Sequence, residues 1–135
     1  MDAYEILKKE NCTCVLTNGK AVFKSNLRGV KPLLDFICSK ENFENFSAAD
    51  KVVGKGAALL YVLMKVKFVH AVVLSEYSKE VFEKNNIEYK YDNLVPAIIN
   101  RSGDGYCPIE TAVKNISDPQ TAFNVITKAL DKIKK

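Results

Sequence analysis

Lys51 and Lys55 open an apolar run at the place where a helix least favours positive charge. In Asp50-Lys51-Val52-Val53-Gly54-Lys55-Gly56-Ala57-Ala58-Leu59-Leu60, Asp50 has the side chain of a helix N-cap and the residues after it read as the helix. On that reading Lys51 and Lys55 are i, i+4 neighbours that repel one another and face the positive end of the dipole. Gly54 and Gly56 each cost about 1 kcal/mol relative to alanine inside a helix. An anion at the helix start would offset these costs, held by backbone N–H groups and by Lys51 or Lys55, with Gly54 letting it come close. The glycine spacing of a phosphate-binding P-loop is missing. The competing explanation is structural: Gly54, Gly56, Ala57 and Ala58 permit tight helix-to-sheet packing while the lysines point into water.

A second constellation is Asn100-Arg101-Ser102-Gly103-Asp104-Gly105-Tyr106-Cys107-Pro108-Ile109-Glu110. Pro108 reads as a first helical residue, which makes Cys107 the cap and Glu110 the N3 residue of a capping-box-like turn. A thiol at a helix N-terminus has its thiolate favoured, so Cys107 is the nucleophile candidate. No histidine partner is evident, because the single histidine, His70, reads as mid-strand, and an inert cysteine in a glycine-rich turn is the alternative. The Arg101 guanidinium is suited to clamping a carboxylate or phosphate. A third constellation, Arg28-Gly29-Val30-Lys31-Pro32, again places two cations before a helix start, although surface solubility also accounts for them.

The elements that must position these residues follow from periodicity. Residues 2 to 10 read as a short amphipathic helix. Cys12–Thr17 and Ala21–Lys24 flank Asn18-Gly19, a type I′ hairpin signal. Pro32 opens a helix carrying Leu33, Leu34, Phe36 and Ile37. A weak strand is expected near Phe46–Ala49, then the lysine-glycine helix with an apolar body from Ala57 to Met64. Lys67–Leu74 is continuous and β-branched, as in a strand buried on both faces. Ser75 or Ser78 caps the next helix, which ends at Asn85-Asn86, and Ile87–Tyr91 alternates like a strand near the sheet edge. Leu94–Ile99, a glycine-rich loop and two helices follow, the last opening at Asp118-Pro119. Two βαβ units and a hairpin imply a mixed sheet covered on both faces. Strand C-terminal ends and helix starts share one edge of such a sheet, so the three constellations can converge there.

The 135 residues suit one domain (1–135), and 47% hydrophobic with 27% charged residues is an ordinary globular balance. A net charge of +4 with scattered lysines and a basic C-terminal helix end lacks the dense stripe of a nucleic-acid binder. Cys12, Cys14, Cys38 and Cys107 form no disulfide framework. Cys12 and Cys14, two apart on a strand, would point the same way. The acidic opening is no secretory signal, and the longest apolar run is too short to span a bilayer, so reduced thiols in a cytoplasm are expected.

Arg28-Gly29-Val30-Lys31-Pro32-Leu33-Leu34-Asp35, Asp50-Lys51-Val52-Val53-Gly54-Lys55, and Asn100-Arg101 with Cys107-Pro108 together resemble a small prokaryotic domain-of-unknown-function family, DUF1893, over nearly the whole chain. The resemblance implies a cytidine-deaminase-like fold, a three-layer α/β/α sandwich with a mixed sheet of about five strands, and no known reaction. Zinc deaminases hold their metal with H-x-E and P-C-x-x-C. Here the corresponding helix starts carry Val30-Lys31-Pro32 and the Asp50–Lys55 block, Cys107-Pro108 reverses the motif order, and His70-Ala71-Val72 lacks the glutamate. No metal ligand set and no cofactor are therefore expected.

The leading functional expectation is a zinc-free domain that binds a small anionic, nucleotide-like metabolite through Arg28, Lys31, Lys51, Gly54, Lys55, Asn100 and Arg101. The alternatives are an enzyme using Cys107 as nucleophile or Lys51 or Lys55 as base or Schiff-base amine, with Asp50 and Glu110 as proton carriers, and a non-catalytic module recognising a partner, or a second subunit, through Tyr89, Tyr91 and Tyr106.

Overall fold

Short-range capping chemistry sets several elements of the computed structural model, which describes residues 2–99 and 107–134, the side chains of 132–134 excepted. Asp2 and Glu5 close a reciprocal capping box on α1 (Ala3–Lys9). The Ser75 hydroxyl accepts from the Ser78 N–H to start α4 (Glu76–Lys84), and the Asp118 carboxylate accepts from the Thr121 N–H at the head of α6 (Pro119–Lys134). The remaining elements are β1 (Cys14–Thr17), β2 (Val22–Ser25), α2 (Lys31–Cys38), β3 (Ser47–Val53), α3 (Lys55–Met64), β4 (Phe68–Ser75), β5 (Glu88–Val95) and α5 (Pro108–Ala112). The expected element order is the observed one.

The strands form one mixed sheet in the order β2-β1-β3-β4-β5. β1 is antiparallel to both its neighbours, while β3, β4 and β5 run parallel. Since β3, β4 and β5 follow one direction across the sheet, right-handed crossovers put α3 and α4 on the same face, where α3 also contacts α2, α5 and α6. The main core lies there, built from residues such as Leu16, Leu33, Leu59, Leu60, Val69, Phe82 and Ile126. The other face carries α1, whose Ala3, Ile6 and Leu7 pack with Cys12, Val15 and Ala49. The result is an α/β/α sandwich with one layer thinned to a single short helix.

Several expectations are corrected. β3 is not confined to 46–49 but continues to Val53, because Val52 and Val53 pair with Val73 and Leu74 of β4. Asp50 is therefore a buried strand residue rather than a helix cap, and Gly54 occupies the N-cap of α3. Lys51 lies exposed on the strand, so it is not a helical neighbour of Lys55. The hairpin is real, but pairing of Thr17 with Val22 leaves a four-residue loop, so Asn18-Gly19 is not a two-residue type I′ turn. The Asn18 carboxamide holds that loop by accepting from the Lys20 and Ala21 N–H groups. Cys12 falls outside β1 and faces α1, whereas Cys14 faces the main core. They point to opposite sides. β4 is not buried on both faces: Phe68, His70 and Val72 are only half-buried, because α1 reaches little of it. β5 outruns the expected 87–91 strand, absorbing Leu94 and Val95.

Candidate functional site

The ends of β2 and β3 and the starts of α2 and α3 share one edge, because Cys14 lies opposite both Ser25 and Asp50. Backbone contacts fasten this edge. The Lys51 N–H donates to Thr13 O at 3.1 Å, and the Thr13 hydroxyl lies 2.9 Å from Ser25 O and 2.5 Å from Leu27 O. Arg28 follows, exposed, and Gly29 turns the chain with φ at 63°, a left-handed conformation that glycine adopts without strain. Lys31, the first residue of α2, pairs at 3.0 Å with Asp35 one turn on. No side chain caps α2.

The α3 start does hold an anion, and the chain supplies it. Glu110, from α5, accepts from the Lys55 N–H through Oε1 at 2.7 Å and from the Gly56 N–H through Oε2 at 3.0 Å. Its charge thus sits at the positive end of the α3 dipole. Gly54 is what lets the carboxylate in: a Cβ there would lie 2.5 Å from Oε1 and 2.6 Å from the carboxyl carbon. Gly56 has a packing role against the next layer, since a Cβ would lie 2.8 Å from Ile109 Cγ2. Glu110 therefore does not close a local capping box at Cys107, and the Cys107 thiol makes no cap bond. Cys107 is half-buried, and its N–H donates to Ile98 O at 3.1 Å. The Lys55 ammonium is anchored too, donating to Lys114 O at 2.9 Å.

Beside this brace is a recess of about 120 Å³ lined by Lys55, Tyr77, Ala97, Glu110, Thr111 and Lys114. Among the expected ligand residues that lie in the described part of the chain, Lys55 alone lines it. Asn100 and Arg101 lie outside the described residues, as does Tyr106. Tyr77, Thr111 and Lys114 were not legible as neighbours of Lys55, because nothing in the spacing 55, 77, 111, 114 signals a shared wall. A broader groove of about 680 Å³ opens at the opposite, amino edge beside Lys65, Lys67 and Asn86, and none of the described residues expected at the site lines it. The carboxyl edge is the more informative one, because open α/β sheets bind ligands there.

Asp50 is the other unexpected centre. Its Oδ2 accepts from the Tyr61 hydroxyl at 2.7 Å, and Tyr61 Oη lies 3.4 Å from Cys14 Sγ. Burial pushes the Asp50 carboxyl up to about 7, against the opposing hydrogen bonds from Tyr61 and from the Val52 and Lys51 N–H groups. Burial also raises the Cys14 thiol and Tyr61 phenol well above their usual ranges, and the Asp50 charge adds to both. Asp50 thus sits inside the core rather than on an exposed edge. His70 has a structural partner: its Nε2 lies 3.0 Å from Asp92 Oδ1, and the Tyr4 ring stacks on it at 3.8 Å. Among the described residues no group of three or more His, Cys, Asp or Glu could hold a metal ion.

Residues 2–130 match the family described as "TM1506: Domain of unknown function (DUF1893)". The chain belongs to the DUF1893 family. A crystal structure of a DUF1893 protein from Thermotoga maritima is similar at 27% identity with a TM-score of 0.85, covering 92% of this chain and 84% of that one. No curated protein matches the chain. Among the described residues of this DUF1893 domain, no helix is long and apolar enough to cross a membrane.

Proposed function

We propose that the domain binds a small anionic, nucleotide-like ligand at the carboxyl edge of its parallel strands. The observation that carries this reading is the recess bordered by both Lys55 and Lys114, next to a glutamate whose charge is already taken up by α3. With Glu110 so compensated, the two ammonium groups leave the recess net positive, and its volume suits a carboxylate or a phosphate rather than a whole nucleotide. Thus the ammonium groups, and not the α3 N–H groups, bind the anion, and Arg28, Lys31 and Lys51 extend the positive edge for the rest of the ligand. The order β2-β1-β3-β4-β5 with β1 alone reversed supports kinship with cytidine-deaminase-like folds, lysines and glycines standing where zinc motifs would be.

Thermal denaturation in the presence of inorganic phosphate, nucleoside phosphates, sugar phosphates and dicarboxylates tests this. The expected result is a concentration-dependent rise in Tm with at least one class, lost in Lys114→Ala, whose side chain makes no brace. No stabilisation by any class, with Lys55→Ala showing the same flat profile, would remove the proposal.

A further inference from the structure

β5 ends the sheet, and among the described residues no strand pairs with its outer side. It is eight residues long, five of them exposed, and its register with β4 keeps one offset from Phe68 opposite Glu88 to Ser75 opposite Val95. It contains no proline or bulge, two common protections of an open edge. The Glu88 N–H donates to Lys67 O at 3.2 Å. In a parallel pair this turns the backbone groups of 88, 90, 92 and 94 toward β4, and leaves those of Tyr89, Tyr91, Asn93 and Val95 pointing outward.

We propose that β5 pairs antiparallel with β5 of a second copy, about a dyad at Tyr91. The register follows from two constraints. Outward backbone groups must meet outward groups, and with Tyr91 opposite Tyr91 the groups of Tyr89, Tyr91 and Asn93 find partners, for about six new hydrogen bonds. That register also sets Lys90 opposite Asp92 of the second copy, twice. Sliding the pair so that Tyr89 meets Tyr91 would bring Lys90 against Lys90 and Glu88 against Asp92. Sliding it so that Tyr91 meets Asn93 would bring Asp92 against Asp92. Like charges directly opposite destabilise a pair, whereas opposite charges and facing aromatics favour it. An edge lysine usually repels a second strand; here Asp92 neutralises it in one register only.

The side chains are prepared for that register. Tyr4 Oη and His70 Nε2 hold the Asp92 carboxylate at 2.7 and 3.0 Å, so it is oriented before any partner arrives. Tyr91 is 41% exposed and stacks on Tyr89 with ring centroids 6.4 Å apart. The Tyr89 hydroxyl is in turn fixed on Glu83 at 2.8 Å. On the dyad, the two Tyr91 rings would cover one another. Two five-stranded sheets then become one continuous ten-stranded sheet, closed by two-fold symmetry.

Sedimentation velocity on the full chain tests the proposal from low micromolar concentration upward. The expected result is a reversible dimer whose Kd rises about tenfold or more in Lys90→Glu, which sets glutamate against Asp92, and in Tyr91→Pro, which removes an outward N–H but no bond to β4. Register is tested by oxidising Tyr91→Cys in a Cys38→Ser background. Facing hydrogen-bonded residues lie about 5.5 Å apart at Cα, within disulfide span, so this variant crosslinks, whereas Asn93→Cys, about 14 Å from its twin, does not. A protein that stays monomeric at every concentration, or a dimer that neither Lys90→Glu nor the Tyr91→Cys crosslink touches, overturns the pairing. If Tyr91→Pro does not fold, the other two variants decide.

Discussion

The brace between Glu110 and the α3 start makes a sharp prediction about Gly54. Its backbone angles, φ −93° and ψ −178°, are extended and open to any residue, so Gly54→Ala introduces no backbone strain. It even gains about 0.4–1 kcal/mol from a less free unfolded chain. What it meets is the Glu110 carboxylate, 2.5 Å from the new Cβ, and a carboxylate displaced from there loses both its N–H donors. Two charge-assisted bonds at 2.7 and 3.0 Å, half-screened by solvent but aided by the helix dipole, contribute about 2–3 kcal/mol together. Glu110→Ala should therefore cost about 2–3 kcal/mol, and Gly54→Ala about 1–2 kcal/mol after its entropic gain. Because the second loss acts through the first, Gly54→Ala in the Glu110→Ala background should be neutral or slightly stabilising, a coupling of about 2 kcal/mol. Urea denaturation of the four proteins, followed by far-UV circular dichroism, measures it. Equal costs for Gly54→Ala in both backgrounds would refute the argument that this glycine exists to admit the carboxylate.

Three further outcomes follow from the buried and exposed titratable groups. Asp50 has a folded pKa of about 7 against about 3.8 unfolded, so folding favours its protonated form. Its contribution is full below about pH 4 and is lost as pH rises to about 7, by up to about 4 kcal/mol; the stability difference between wild type and Asp50→Asn should trace that fall in urea titrations from pH 4 to 8, and a pH-independent difference contradicts it. Asp92 is held below the usual carboxylate range by the Tyr4 hydroxyl, then by His70, so its contribution is present above pH 4 and lost on further acidification. Amide exchange in α1 should accelerate there, and acid-independent protection of α1 would show that Asp92 does not anchor it. Cys38 is exposed and Cys107 half-buried, while Cys12 and Cys14 are buried and the Cys14 thiol is raised by burial and by Asp50. A thiol reagent should modify Cys38 first, Cys107 more slowly, and Cys12 and Cys14 only on unfolding.

What could be read from the chain was local. Ser75 and Asp118 announce their helices through bonds within three residues, Pro119 suits a first helical turn, and the element order followed from such local signals together with periodicity. Asp50 misled because a local cap signal competed with a remote partnership: Val52 and Val53 gain more by pairing with β4 than Asp50 gains by capping. The same limit hid Glu110. Its reach to α3 spans 55 residues, and a glutamate two residues after a proline reads equally well as a local cap. β5 outruns its local signal because Asp92 and Asn93 have the side chains of loop residues, although Asp92 is held by α1 and β4.

The α3 start also shows how a correct physical demand can point to the wrong ligand. The free N–H groups at the α3 head favour an anion, and the chain supplies one internally, with Gly54 leaving room for the carboxylate that fills the place. An external ligand competing there would have to displace a covalently tethered group at high effective concentration, whereas one binding beside it needs only the ammonium groups that the brace leaves in place. Glu110 therefore acts as a divider on this edge. Removing it in Glu110→Ala should open a new anion position on α3, and phosphate binding that survives Lys114→Ala in that background, but not in the wild-type background, shows that the two positions are distinct.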